Sequence, residues 1–261
     1  MSETPIAGAA DLGFPRFFKI AGYSVNSYKF FLSVGFYVGT VATAALASSS
    51  GLSPLPIGLA AMTCGLAGFI GARVYFLLVH APYYLRQRSL SALWDSSGGG
   101  WSLFGALLTF VPALFAAAAW LDIPASVLAD HIGVGVLAGG FWGRLGCVFN
   151  GCCGGRETKA PFGIRLHDIC GVRKTRIPVQ FLEMAWWLIG LVAFLMLWPR
   201  ALPPGSYALG VVAWYAVGRF FLEPLREQPD VVFGRLRIDQ IVAALLALTA
   251  GGALILRGWA A

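Results

Sequence analysis

Seven stretches of about 20 mainly apolar residues run along this chain, at roughly 27–47, 55–80, 102–121, 124–142, 179–199, 206–223 and 238–256. A helix of that length covers the hydrocarbon thickness of a bilayer. The expected fold class is therefore all-α, a polytopic membrane protein of about seven transmembrane helices forming a single transmembrane domain, 1–261. Most connections carry loop chemistry: Ser48-Ser49-Ser50-Gly51, Gly98 to Gly100, Pro203-Pro204-Gly205 and Gln228-Pro229-Asp230. One connection, about 143–178, is long and polar, too charged to lie in hydrocarbon.

Composition agrees with this reading. The chain is 58% hydrophobic and 12% charged, with a mean hydropathy of +0.73. A soluble domain carries about a quarter charged residues, so half that share leaves too little polar surface to face water. Nothing points to a nucleic-acid partner. Residues 1–26 carry Glu3, Asp11, Arg16 and Lys19 without an apolar run and a small-residue cleavage site, unlike a cleaved signal peptide.

Charge is unevenly placed. With seven spans, only Arg200 and Arg257 of the 19 lysines and arginines fall at one end of the bundle. All others lie at or near the end bearing the N-terminus, which the positive-inside rule would make cytoplasmic. Cations that bind an anionic substrate would produce the same asymmetry.

Ionisable residues inside spans cost about 2.5–3.5 kcal/mol each on insertion scales and mark function or a partnered pair. Here they are Arg73, Asp130, His131, Arg144, Glu183, Arg219, Glu223 and Asp239. Tyr215, Arg219, Glu223 and Arg226 recur at i, i+4, i+8 and i+11, along one helix face. Gln180 and Glu183 share a face at the start of the fifth span. Snorkelling at the interface or structural ion pairing is the alternative for any one of them. The clustering of the set at one end favours a site.

The sharpest local pattern runs from Gly143 to Gly155, GRLGCVFNGCCGG, closing the fourth span and opening the polar loop. Its glycines let backbone approach a ligand and present N–H groups to an anion. Arg144 offers a planar fork suited to phosphate oxygens, and Asn150 suits a glycerol hydroxyl or ester carbonyl. A glycine-rich helix end packed on its neighbours is the plainer reading.

This run resembles the signature of prolipoprotein diacylglyceryl transferases, G-R-x-G-N-F-x-N-G-E. Further matches fall in order: Gly71-Ala72-Arg73; Trp94 with Gly99-Gly100 before Gly105; Asp130; Pro178, Gln180 and Glu183; Tyr215 to Asp230, YAVGRFFLEPLREQPD; and Gln240. Tyr28 matches more loosely, and the resemblance covers roughly 71–241. Members of that family move a diacylglyceryl group from phosphatidylglycerol to the lipobox cysteine thiol of a prolipoprotein, releasing glycerol phosphate. The resemblance implies that Arg144 and Arg219 grip the phosphate, Asn150 and Tyr215 position the lipid, and Glu183 and Glu223 hold or polarise that network. Tyr28, Arg73, Asp130, Cys147, Gly155, Gln180, Arg226 and Gln240 are the further substrate-binding residues it implies. No cofactor and no metal are implied. The expected location is the bacterial plasma (inner) membrane, with the N-terminus outside, against the positive-inside count.

Three positions depart from the family pattern. Phe104 stands where the family has its catalytic histidine, and the chain's histidines, His80, His131 and His167, fall outside the motif. Cys147 stands at the signature's first asparagine and Cys152 at its glutamate. The five cysteines, Cys64, Cys147, Cys152, Cys153 and Cys170, show no zinc-site spacing. A structural or disulfide role leads, ahead of a nucleophilic thiol beside Arg144 and, last, a metal site. Three functions stay open: transfer to a prolipoprotein thiol, transfer of a lipid moiety to another small-molecule or lipid acceptor, and a non-catalytic lipid-binding or transport protein.

Overall fold

The computed structural model describes residues 13–87, 101–198, 200, 202–227, 231–233 and 236–259. Trp94, the glycines 98–100 and the Gln228-Pro229-Asp230 turn lie outside the described residues. Elements are numbered in chain order. The helices are α1 Ser27–Ser49, α2 Pro54–Val79, α3 Ala81–Gln87, α4 Leu103–Trp120, α5 Ala125–Asn150, α6 Val179–Leu197, α7 Ser206–Leu222 and α8 Ile238–Trp259. A 3-10 turn, Glu223–Leu225, extends α7. Among the described residues, six helices are long and apolar enough to cross a membrane, and α4 is a shorter apolar seventh. The protein is thus a polytopic, mostly helical, multi-pass membrane protein.

Two differences from the sequence expectation matter. First, α5 does not stop near 142 but continues to Asn150, so the polar connection begins eight residues later than the composition suggested. A charge ends a span only when it lacks a partner; Arg144 has one in Glu183, 3.3 Å away on α6, and the backbone keeps its helical hydrogen bonds. Second, among the described residues three short antiparallel hairpins punctuate the helices: β1 Phe17–Ile20 with β2 Tyr23–Asn26, β3 Ile164–His167 with β4 Arg173–Arg176, and β5 Val231–Phe233 with β6 Leu236–Arg237. The first turns at Ala21-Gly22, both at positive φ (49° and 86°), the geometry of a tight two-residue hairpin. In the second, Asp168 Oδ1 accepts from the N–H groups of Cys170 and Val172, both at 2.9 Å, and closes the turn.

The chain groups into two compact units, Met1–Ala42 with Asp130–Ala261, and Thr43–Ala129. In the smaller unit α2 packs on α4 through opposed glycines. A Cβ on Gly71 would lie 2.5 Å from the Gly105 carbonyl oxygen, and Thr109 donates across to the Ala67 carbonyl at 2.7 Å. Small residues bring helix backbones this close where lipid supplies no hydrophobic drive.

In the larger unit α1 and α5 meet through Gly35 against Gly139 and Gly39 against Gly135. Helices α6 and α7 interlock through two tryptophans. Trp186 and Trp214 stack with centroids 4.1 Å apart, and each indole N–H donates to the other's carbonyl at 3.0 and 3.1 Å. Trp186 fills the space a side chain would take at Gly218, and Trp214 does the same at Gly190. The reciprocal bonds satisfy both indoles inside an apolar contact. They also fix the rotation of α6 against α7, on which the charged residues of both helices depend.

Candidate active site

The charged residues of α5, α6, α7 and the start of α8 converge in the larger unit. Glu183, its side chain 7% exposed, is the hub. Its Oε2 lies 3.3 Å from Arg144 Nε; its Oε1 lies 3.2 Å from Arg226 Nη1 and 3.7 Å from Arg219 Nη1. Glu223 is the second anchor, 2.9 Å from Arg219 Nη2 and 3.3 Å from Arg237 Nη1. Asp239 closes on Arg219 Nη2 at 2.5 Å. Arg237 also ties the backbone, donating to the carbonyls of Glu223 and Arg226 at 2.8 and 3.0 Å. Burial opposes the charge on Arg226, but Cys153 and Glu183 beside it outweigh that and hold its guanidinium above the ordinary range.

A small cleft opens beside this array, lined by the charged Arg144, Glu183 and Arg219 together with Trp186, Trp187, Tyr215, Gly218 and Leu222. Arg144 contributes most freely. Its Nε edge is taken by Glu183, while neither terminal nitrogen has a carboxylate partner among the described residues.

The segment after α5 is clamped in place. Gly151, at φ 73°, turns the chain so closely against Asp168 that a Cβ would lie 2.6 Å from its carbonyl oxygen. Gly155 bridges Arg226, Arg156 N–H donates to Leu225 O at 2.9 Å, and Glu227 N–H to Gly154 O at 3.1 Å. Arg176, buried, pairs with Glu227 and lies 3.6 Å from Asp168. The glycines of the signature therefore serve close packing: Gly146 lies against Tyr28 and Phe31 of α1, and Gly155 against Ile177.

This turn gathers three cysteines whose spacing gave no such hint. The sulfurs of Cys147, Cys152 and Cys153 all lie within 4.8 Å of one another. All five cysteines carry free thiols. Cys153 sits at φ 59°, a left-handed backbone uncommon outside glycine, and that conformation swings its side chain to the side of Cys152. S–H donation from Cys147 and Cys152, with Arg226 and Arg144 nearby, pulls the Cys153 thiol below its usual range. Asn150 hydrogen-bonds Cys152, and Tyr28 adjoins all three thiols. Gln180 donates to the Cys152 carbonyl at 3.1 Å, leaving its own buried Oε1 without a partner among the described residues.

Of the residues singled out in the sequence, Tyr28, Arg144, Cys147, Asn150, Gln180, Glu183, Tyr215, Arg219, Glu223 and Arg226 come together here. Gln240 instead braces the backbone, donating to Phe220 O at 3.3 Å and accepting from Arg237 N–H at 3.2 Å. Asp130 caps α7: its carboxylate accepts from Gly205 N–H at 2.7 Å and Ala208 N–H at 2.8 Å. Asp130→Ala is expected to cost about 2–3 kcal/mol of stability and to leave the KM for lipid unchanged. Thermal unfolding in detergent beside transfer kinetics checks this; a raised KM at unchanged stability would return Asp130 to the substrate. Arg73 and Phe104 belong to the smaller unit. The Arg73 guanidinium lies about 6 Å from the Phe76 and Trp101 rings, and Phe104, in the first turn of α4, is 70% exposed. Arg237 was missed by sequence reasoning because it enters from a hairpin strand rather than a span.

Comparison with known proteins bears on this arrangement directly. The family model described as prolipoprotein diacylglyceryl transferase matches residues 15–256. The chain belongs to that family. Among its relatives, the phosphatidylglycerol–prolipoprotein diacylglyceryl transferase of Lactobacillus acidophilus is 29% identical over 69% of this chain and 66% of its own length. That of Clostridioides difficile is 24% identical over 87% and 89%, and that of Corynebacterium efficiens 27% over 87% and 76%. The match covers all four arginines and all three carboxylates of the array.

Proposed function

We propose that this protein transfers the diacylglyceryl group of phosphatidylglycerol to the cysteine thiol of a prolipoprotein, in the bacterial plasma membrane. The observation that carries the reading is the charge balance of the array. Four guanidiniums, Arg144, Arg219, Arg226 and Arg237, face three carboxylates, Glu183, Glu223 and Asp239. One positive charge is left over, the complement of a phosphodiester's single negative charge. The cleft beside it is lined by both charged and aromatic or aliphatic side chains, as an amphipathic lipid requires.

The chemistry follows from that placement. The thiol sulfur attacks the diacylglyceryl carbon that bears the phosphate oxygen. A carbon–sulfur bond forms, the carbon–oxygen bond breaks, and its electron pair stays on glycerol phosphate. Negative charge on the phosphate grows as the bond breaks, and guanidiniums already fixed by Glu183 and Glu223 stabilise it without reorganising. The thiol's proton leaves to water. Tyr215 and Trp187, with rings 5.7 Å apart, hold the lipid's glycerol end beside the arginines.

The test is a mass-spectrometric transfer assay with purified protein, a lipobox peptide and either phosphatidylglycerol or phosphatidylethanolamine. Diacylglyceryl-modified peptide and glycerol phosphate are expected from phosphatidylglycerol and at most weakly from the zwitterionic lipid. Folded, lipid-binding protein that modifies no peptide would sink the reading.

A further inference from the structure

Catalysis by thiol attack needs a thiolate, and among the described residues of the larger unit neither the histidines nor the two buried glutamates stand idle to make one. Its two histidines are His131 and His167. His131 packs edge-on against Trp198, with centroids 4.9 Å apart. His167 Nε2 donates to the Phe149 carbonyl at 3.2 Å. Glu183 and Glu223 are each held by arginines. Beside them sits a cluster the reaction has not yet used.

We propose that Cys147, Cys152 and Cys153 bind one soft divalent cation of the Zn2+ class, and that its fourth coordination position takes and ionises the acceptor thiol. This second half rests on the transferase reading above. The donor set is three thiol sulfurs, the ligand type that soft d10 cations prefer. A tetrahedral zinc site with Zn–S of about 2.3 Å needs sulfurs about 3.8 Å apart. Three sulfurs within 4.8 Å of one another meet that with shifts of about an ångström or less. The strained φ of Cys153 and the tight turn at Gly151 are what bring two adjacent cysteines onto Cys147. Three protein ligands and one exchangeable position are the arrangement of catalytic rather than structural zinc.

Arg144 and Arg226 act on the cluster electrostatically. Arg144 lies one turn before Cys147 on α5, so the arginine that faces the phosphate and the cation that would hold the nucleophile share one helix. Metal binding releases the three cysteine protons to water, and a coordinated acceptor thiol loses its own likewise. Its metal-bound sulfur then forms the carbon–sulfur bond while the carbon–oxygen bond breaks toward phosphate. The thioether product is a weak ligand and leaves the metal.

The experiment titrates Co2+ alone into reduced full-length protein in detergent and records the visible spectrum. One equivalent is expected to give thiolate-to-cobalt charge transfer with tetrahedral d–d bands. A lipobox peptide should strengthen the charge-transfer band as a fourth sulfur enters; its serine analogue should not. Cys152→Ser and Cys153→Ser should each weaken binding by at least about 100-fold, the upper end of what losing even an outer-shell contact costs. Cys64→Ser and Cys170→Ser should leave it unchanged. The wild-type spectrum reports the sulfur donors even where a serine variant misfolds. A spectrum without a thiolate band, or one retained in the triple Cys147/Cys152/Cys153→Ser variant, overturns the site. A three-sulfur site indifferent to the peptide thiol overturns the activation. None of these readouts depends on transfer, so a chain that binds both cobalt and thiol yet moves no lipid contradicts the transferase reading instead.

Discussion

Arg144→Ala is expected to lower kcat for diacylglyceryl transfer by about 10²–10³-fold, the usual effect of removing one preorganised donor from developing charge. Arg144 is the arginine of the array whose terminal nitrogens have no carboxylate partner among the described residues. Arg219 is shared among Glu183, Glu223 and Asp239, and Arg226 is held by Glu183. Removing Arg219 would therefore mix loss of catalysis with loss of structure. Removing Arg144 leaves Glu183 with two arginines, so the fold should survive. Arg144→Lys keeps the charge but loses the bidentate fork and the Nε contact to Glu183, and is expected to recover only part of the rate. Single-turnover transfer with saturating phosphatidylglycerol, beside thermal unfolding of each variant, separates the two effects. A stable Arg144→Ala protein with wild-type kcat would remove the phosphate from this arginine.

The helices were legible in the sequence because spanning a bilayer is set by hydropathy over about 20 residues, and loop residues mark most of the boundaries. The charged network was half legible. An arginine or carboxylate within an apolar stretch demands a partner, so Arg144, Glu183, Arg219 and Glu223 could be grouped before any contact was known. Arg237 could not, because it sits on β6 beyond the last polar turn and reaches Glu223 through the hairpin fold. The extension of α5 to Asn150 was hidden for a related reason: Arg144 reads as the end of a span until Glu183 is placed beside it. The thiol cluster was hidden more deeply. Metal-ligand spacing rules assume ordinary turns, whereas here Cys153 at φ 59° brings neighbouring residues to the same side. Asp130 shows the reverse case. Its position within a motif pointed to substrate, but its carboxylate has two backbone N–H groups of α7 to satisfy, a demand visible only once the helix termini are in place.

Glu183→Ala is expected to be the most destabilising single change in the array. It removes the carboxylate that Arg144, Arg219 and Arg226 all face. Breaking a buried ion pair by deleting one partner costs about 3–5 kcal/mol, because an uncompensated charge stays behind. At about 2–4 °C per kcal/mol for a chain of this size, the melting temperature in detergent should fall by roughly 10 °C. Glu183→Gln keeps the side chain's volume and some of its hydrogen bonds, and should fall less. An anion in the cleft would replace part of the lost charge. Phosphatidylglycerol should therefore raise the melting temperature of Glu183→Ala more than that of the wild type, since whatever binds only the folded state stabilises it in proportion to its affinity. Phosphatidylcholine, with no net charge, should favour neither. If both lipids act alike on the variant, its arginines are not reached by the head group, and the array is a structural tie between α5, α6 and α7. If only the anionic lipid compensates, the carboxylate and the lipid phosphate act on the same guanidiniums. Glu183 then holds those guanidiniums in place for the phosphate.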